Sequence, residues 1–221
     1  MRYILPIALF ACLAALIAIS PHIEPRRLRR RAARVTGQLR AEHGFRDGSR
    51  ASWSETRSTG WPPFHYGKHR ELDNLLLGTV YDLPVRVAGY EVVFNGSWHR
   101  YGLAVIVLPS PAEWLEVRGQ RPFTSARVPE HVPDGQLALG VPEFDAAWSV
   151  YAESPEAQRA AAGSAALAQA MLDAPTPFSW RVHDGEVLLW RRDGWSDAAQ
   201  LLACIGCVAN LLGLADTYPV G

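Results

Sequence analysis

The residues most able to do chemistry are few, and most of them stand in apolar surroundings. Cys204-Ile205-Gly206-Cys207 spaces two thiols three apart. On a helix that spacing turns both toward one side. A reactive dithiol needs a lowered thiol pKa, usually supplied by a helix N-terminus. These two lie more than a turn inside a leucine-rich stretch, which favours a core role over redox chemistry. A zinc site would need two further ligands, and there is no second cysteine pair. His65 and His69, with Glu71 and Asp73 nearby, could seed a metal site only on a helix, which Gly67 and the adjacent prolines oppose.

Asp145, Glu153 and Glu156 suit strand-edge and helix-cap positions better than an acid/base pair. No Gly-x-Ser-x-Gly elbow, phosphate-cradling glycine loop or His-Glu-x-x-His motif occurs. The expectation is therefore a protein that is not an enzyme and needs no cofactor. Six tryptophans, Trp98, Trp114, Trp148, Trp180, Trp190 and Trp195, are candidates either for a ligand cavity or for core and sheet packing.

The other concentrated chemistry is charge. Arg26, Arg27, Arg29, Arg30, Arg31 and Arg34 fall in one run, although Lys+Arg and Asp+Glu balance at 22 each over the chain. The remainder is thus acidic, which argues against a nucleic-acid-binding domain. Leu28, Ala32, Val35 and Leu39 recur at helical spacing from Pro25, giving one apolar face with most of the arginines around the others. Beside a membrane such a helix would lie on anionic lipid, each arginine contributing on the order of 1 kcal/mol. Its alternative role is a topology signal with no specific lipid.

The run has a reason to lie beside a membrane. Residues 3–19 are apolar apart from Pro6. At 1.5 Å per residue that is about 25 Å, the short end of a spanning helix. A cleaved signal peptide is the competing reading, and Ala18-Ile19-Ser20 would suit the cut. Pro21 and the arginines beyond it oppose that reading. A lipoprotein box at Leu9–Cys12 comes too early. The arginine excess on the C-terminal flank places the rest of the chain in the cytoplasm, tethered to the inner membrane by a single pass.

The expected organisation is a transmembrane anchor at 1–21, a basic juxtamembrane helix at 22–43, a linker at 44–60 and a globular domain at 61–221. Trp61-Pro62-Pro63-Phe64 would dock on that domain. Strands are predicted over 75–83, 85–94, 98–108 and 114–118, with Asn95-Gly96 as a hairpin turn. Leu103–Leu108 is apolar on both faces, so its strand should be central and covered on both sides. The stretch 123–142 reads as loop with a short strand. Alternation from Phe144 to Tyr151 predicts a strand. Ser154-Pro155-Glu156 then opens a helix running to about Asp173. Phe178–Val182 and Val187–Trp190 flank an Asp184-Gly185 turn, and a last helix follows Ser196-Asp197. The fold class is α+β: a mostly antiparallel sheet with two packing helices, preceded by a transmembrane helix.

Several stretches resemble a family of bacterial single-pass membrane-anchored proteins of unknown function. They are Asn74–Thr79, Leu108-Pro109, Trp114–Val117, Glu143–Asp145, Val150–Ala157 and Trp180–Trp190. The resemblance covers roughly 61–219 and carries no activity or site residues with it. The chain departs from the family at Gly163-Ser164-Ala165, where the family has a threonine-proline. The function expected is a membrane-tethered module that binds a protein partner or lipid. The second expectation is a small-ligand sensor using an aromatic-lined cavity.

Overall fold

The computed structural model describes residues 26–49, 67–94, 96–119 and 136–214. The expected anchor, Trp61–Phe64, His65 and most of 123–142 lie outside those residues. Among the described residues nine strands form one antiparallel sheet in the order β1-β2-β3-β4-β9-β8-β5-β7-β6. The strands are β1 (Arg46–Asp47), β2 (Lys68–Val80), β3 (Leu83–Phe94), β4 (Ser97–Val107), β5 (Leu115–Gly119), β6 (Gln136–Leu137), β7 (Trp148–Ala152), β8 (Ser179–His183) and β9 (Glu186–Arg192). Among the described residues five helices accompany them: α1 (26–43), α2 (Pro142–Asp145), α3 (Pro155–Ala162), α4 (Ala165–Asp173) and α5 (Ala198–Leu211). The α+β class stands, with more packed helices than the two expected.

β4 holds the central place its sequence demands. Ala104 and Ile106 face a large core shared with the helices, while Leu103 and Val105 face a second cluster with Ala88, Tyr90, Tyr101, Leu188 and Trp190. Among the described residues, all helical contributions go to the first core, so the helices cover one face. On that face Leu201, Cys204, Ile205 and Val208 of α5 are fully buried. α5 starts at Asp197, whose carboxylate accepts from the Gln200 amide at 2.8 Å. Among the described residues no helix is long and apolar enough to cross a membrane.

Three local differences have identifiable causes. The long helix expected from Pro155 breaks at Gly163, and Ser164 caps a new helix by accepting from the Leu167 amide at 3.0 Å. The strand expected to begin at Phe144 begins at Trp148. Pro142 opens a helical turn instead, and Asp145 closes it by accepting from the Leu139 and Gly140 amides at 2.9 and 3.0 Å. The stretch expected to link at 44–60 begins on the sheet. Phe45 is buried against Gly78, where a Cβ would overlap the phenyl ring, and Arg46–Asp47 pair with Leu77 and Leu76.

α1 also lies on the domain. Val35 and Leu39 are buried in the large core, with Thr36 buried between them. Gln38 accepts from the Ala198 amide at 3.1 Å, tying α1 to the start of α5.

Candidate functional site

Three arrangements could carry function: the arginine face of α1, two buried ion networks, and a cleft at one end of the sheet. α1 distributes its six arginines unequally. Arg29 grips Glu91 with two contacts, Nε to Oε1 at 3.2 Å and Nη2 to Oε2 at 2.9 Å. Arg26, Arg27, Arg30, Arg31 and Arg34 are exposed. These five fit a surface contact, whereas Arg29, although largely exposed, is tied to the fold through Glu91.

The Arg29–Glu91 pair belongs to a larger network. Arg100, buried on β4, also donates to Glu91, and its Nη2 meets both Asp73 oxygens at 2.8 Å. Gly89 lies between them; a Cβ there would collide with Asp73 and Arg100. Burial pushes the Glu91 carboxyl up, but the Arg29 hydrogen bonds and the Arg100 charge outweigh it. The group is held below the usual carboxylate value of 4.5. The same contacts raise Arg29.

A second network lies on β5 and β8. Register places Glu116 opposite Arg181. Glu116 accepts from Arg181 Nε at 2.7 Å and from Arg118 Nε at 2.6 Å. All three are buried. The guanidinium of Arg118 stands 5.2 Å from the Tyr151 ring, and that of Arg181 stands 5.6 Å from Trp190. The sequence signal was present: charged residues at 116, 118 and 181 occupy alternate positions in apolar strands. A buried charge there demands a partner, though the sequence does not say which.

The cleft opens where β5 diverges from β8 beyond Val117. It encloses about 410 Å³, within the roughly 300–1,000 Å³ of small-ligand sites. Trp190 and Tyr101 on paired strands, Trp148, and Phe178 give it aromatic walls. Trp148 is fixed by its indole N–H donating to the Phe178 carbonyl at 3.1 Å and by stacking on Phe144 at 5.5 Å. Ser179 accepts from the Gly119 amide at 3.0 Å, bridging the two strands through its side chain. Arg191 and Arg192 supply cationic groups at the edge. Arg191 is steadied by Thr176, 3.0 Å from its Nε, and by the Gly194 carbonyl. Burial lowers its pKa, and the nearby Arg31 charge lowers it further.

The tryptophans therefore divide. Trp148 and Trp190 line the cleft. Trp180 is core, its N–H donating to Met171 Sδ at 3.3 Å. Trp195 fills the space over Gly102 and leans on Phe178. Trp98 stands 58% exposed. The thiols sit in the core: Cys204 is fully buried, and Cys207 donates to the Ala170 carbonyl at 3.4 Å. Burial pushes them up to about 12 and about 11, so both are neutral thiols at physiological pH. His69 is exposed on β2. Among the described residues no group of three or more His, Cys, Asp or Glu is placed to hold a metal.

No family model matches the chain, and no curated protein matches it. Among solved structures the chain is similar to the mycobacterial trehalose monomycolate transport factor A, TtfA. The TM-score is 0.55 at 16% identity, covering 87% of this chain and 96% of that one. The likeness is one of fold, over nearly the whole of both chains.

Proposed function

We propose that this chain is a membrane-tethered, non-enzymatic lipid-interaction module whose cleft holds an amphiphile. The cleft carries this reading. Its walls are aromatic and its edge is cationic, which suits a ligand with an apolar body and a polar or anionic head. The fold it shares with a protein named for the transport of a glycolipid supports the reading. So does the apolar run at 3–19, which would hold the domain at the inner membrane as a single-pass member of the family it resembles. The exposed arginines of α1 would add cationic groups for contact with that surface. The proposal joins the two readings of the sequence, lipid interaction and an aromatic-lined cavity, although the first rests on the arginines of α1 and the second on the cleft.

The test is binding of a monoacyl phosphatidylglycerol, below its micellar concentration, to the purified full chain. Ala146→Trp, at an exposed position on the cleft wall, would fill the space. Affinity should fall at least about tenfold, or ~1.4 kcal/mol. Equal affinity in the variant, or no binding by the native chain, would defeat the proposal.

A further inference from the structure

α1 has a definite direction on the sheet. Near its C-terminal end the Leu39 carbonyl accepts from Phe45 at 3.1 Å, Phe45 lies on Gly78, and Gly78 pairs with Val85. Toward its N-terminal end Arg29 reaches Glu91. From Val85 to Glu91 is ~20 Å of strand, and from Leu39 to Arg29 is ~15 Å of helix. α1 therefore runs along β3 with its N-terminus directed at the β3–β4 turn.

That turn is unlike the rest of the surface. Glu91 pairs with Arg100, and two residues further Val93 pairs with Trp98. The two-residue period puts Trp98 on the same face as Arg100, the face α1 covers. Arg26 lies ~4.5 Å further along α1 than Arg29, level with this pair. Lys68 pairs with Val93 from the other side and is exposed, as is His69 beside it. Trp98 is one of only two large apolar side chains exposed among the described residues. It thus sits toward the end of the sheet to which the N-terminal end of α1 is directed, on the same face as the exposed Lys68 two strands away.

We infer that the β3–β4 turn carrying Trp98 is a second membrane contact, lying on an anionic bilayer surface beside the N-terminal run. This rests on the tether proposed above and is independent of the cleft. Tryptophan prefers the headgroup level, where its ring is shielded and its N–H stays wet. Lys68 and the exposed arginines of the first turns of α1 supply attraction to anionic lipid. With Arg29 locked to Glu91, helix and turn enter the interface as one rigid wedge. The Asp184-Gly185 turn, next to the Glu186↔Val107 pair at the far end of β4, then points away from the bilayer.

The experiment places p-benzoyl-phenylalanine at 98, or at 184, in the full chain. The protein is reconstituted in phosphatidylcholine vesicles containing a minority of phosphatidylglycerol. Flotation is measured first, and lipid adducts are counted by mass after irradiation. At least about tenfold more adduct at 98 than at 184, enriched in phosphatidylglycerol, is expected. Flotation with no excess at 98, or with adducts only to protein, overturns the contact and leaves the tether. A chain that does not float overturns both.

Discussion

Arg29 and Glu91, 62 residues apart in the chain, are joined by a bidentate ion pair that fastens the basic helix to the third strand. Its two ends differ in environment. Arg29 is largely exposed, whereas Glu91 is nearly enclosed and shared with the buried Arg100. Most of the energetic consequence therefore lies at the Glu91–Arg100 end, because solvent screens the other.

Replacing Glu91 with Ala should cost roughly 3 kcal/mol, since it leaves a buried guanidinium with Asp73 as its remaining carboxylate. Arg29→Ala should cost less than about 1 kcal/mol. Urea unfolding of the two variants checks the order; equal losses would contradict it.

The same carboxyl sets a pH dependence. Its folded pKa is depressed, so the folded state holds fewer protons than the unfolded one as pH falls below the usual 4.5. Its contribution is complete above that value and is lost as pH falls through the folded pKa. Glu91→Gln should flatten the acid limb of a thermal-midpoint profile and leave the neutral region parallel to the native curve.

Leu39 is fully buried at the junction of α1 and the sheet. Leu39→Ala should destabilise the whole domain by about 2–5 kcal/mol, whereas substitution of the exposed Ala33 by Gln should change it little. A single unfolding transition, shifted for Leu39→Ala, is the expected result. Loss of helix 26–43 alone, with the sheet unaffected, would show that α1 is an appendage.

Neutral thiols, one buried at Cys204 and one half-buried at Cys207, predict slow chemistry. Cys204 and Cys207 should resist iodoacetamide at pH 8 and react once urea unfolds the chain. Their raised pKa values favour the folded state below the ordinary thiol pKa of 9.0. That stabilisation fades as pH rises toward the folded values. Native labelling at 207 comparable to that of a free thiol would contradict the assignment.

Ser164→Ala removes the cap of α4 and should cost about 1 kcal/mol. Ser164→Asp should restore it, which circular dichroism and thermal melts can follow.

The strands were readable where period and turn chemistry agreed. The doubly apolar 103–108 run lies centrally, and Gly96 and Gly185 take the positive φ their turns require. Asn95 lies outside the described residues. The break at Gly163 is not legible as a helix end, because alanine on both sides favours continuation. Phe144 misled because alternation cannot distinguish a strand from one helical turn before it, and Pro142 decided the matter. The docking of α1 was hidden for a different reason. Val35 and Leu39 gave the apolar face, but a face does not say whether it meets lipid or protein. Cleft and ion networks depend on strand order, and the β9-β8-β5-β7 order brings distant segments together with no local signature.

The two outermost strands, β1 and β6, are two residues long each. A long, smooth outer strand is a template on which another chain can grow. Here β2 bears irregular register between Lys68 and Glu71 and again between Asp73 and Leu76, and charged side chains mark both places. Copies crowded together on one plane, as tethering would crowd them, would find little ladder to extend. They should remain separate rather than polymerise edge to edge.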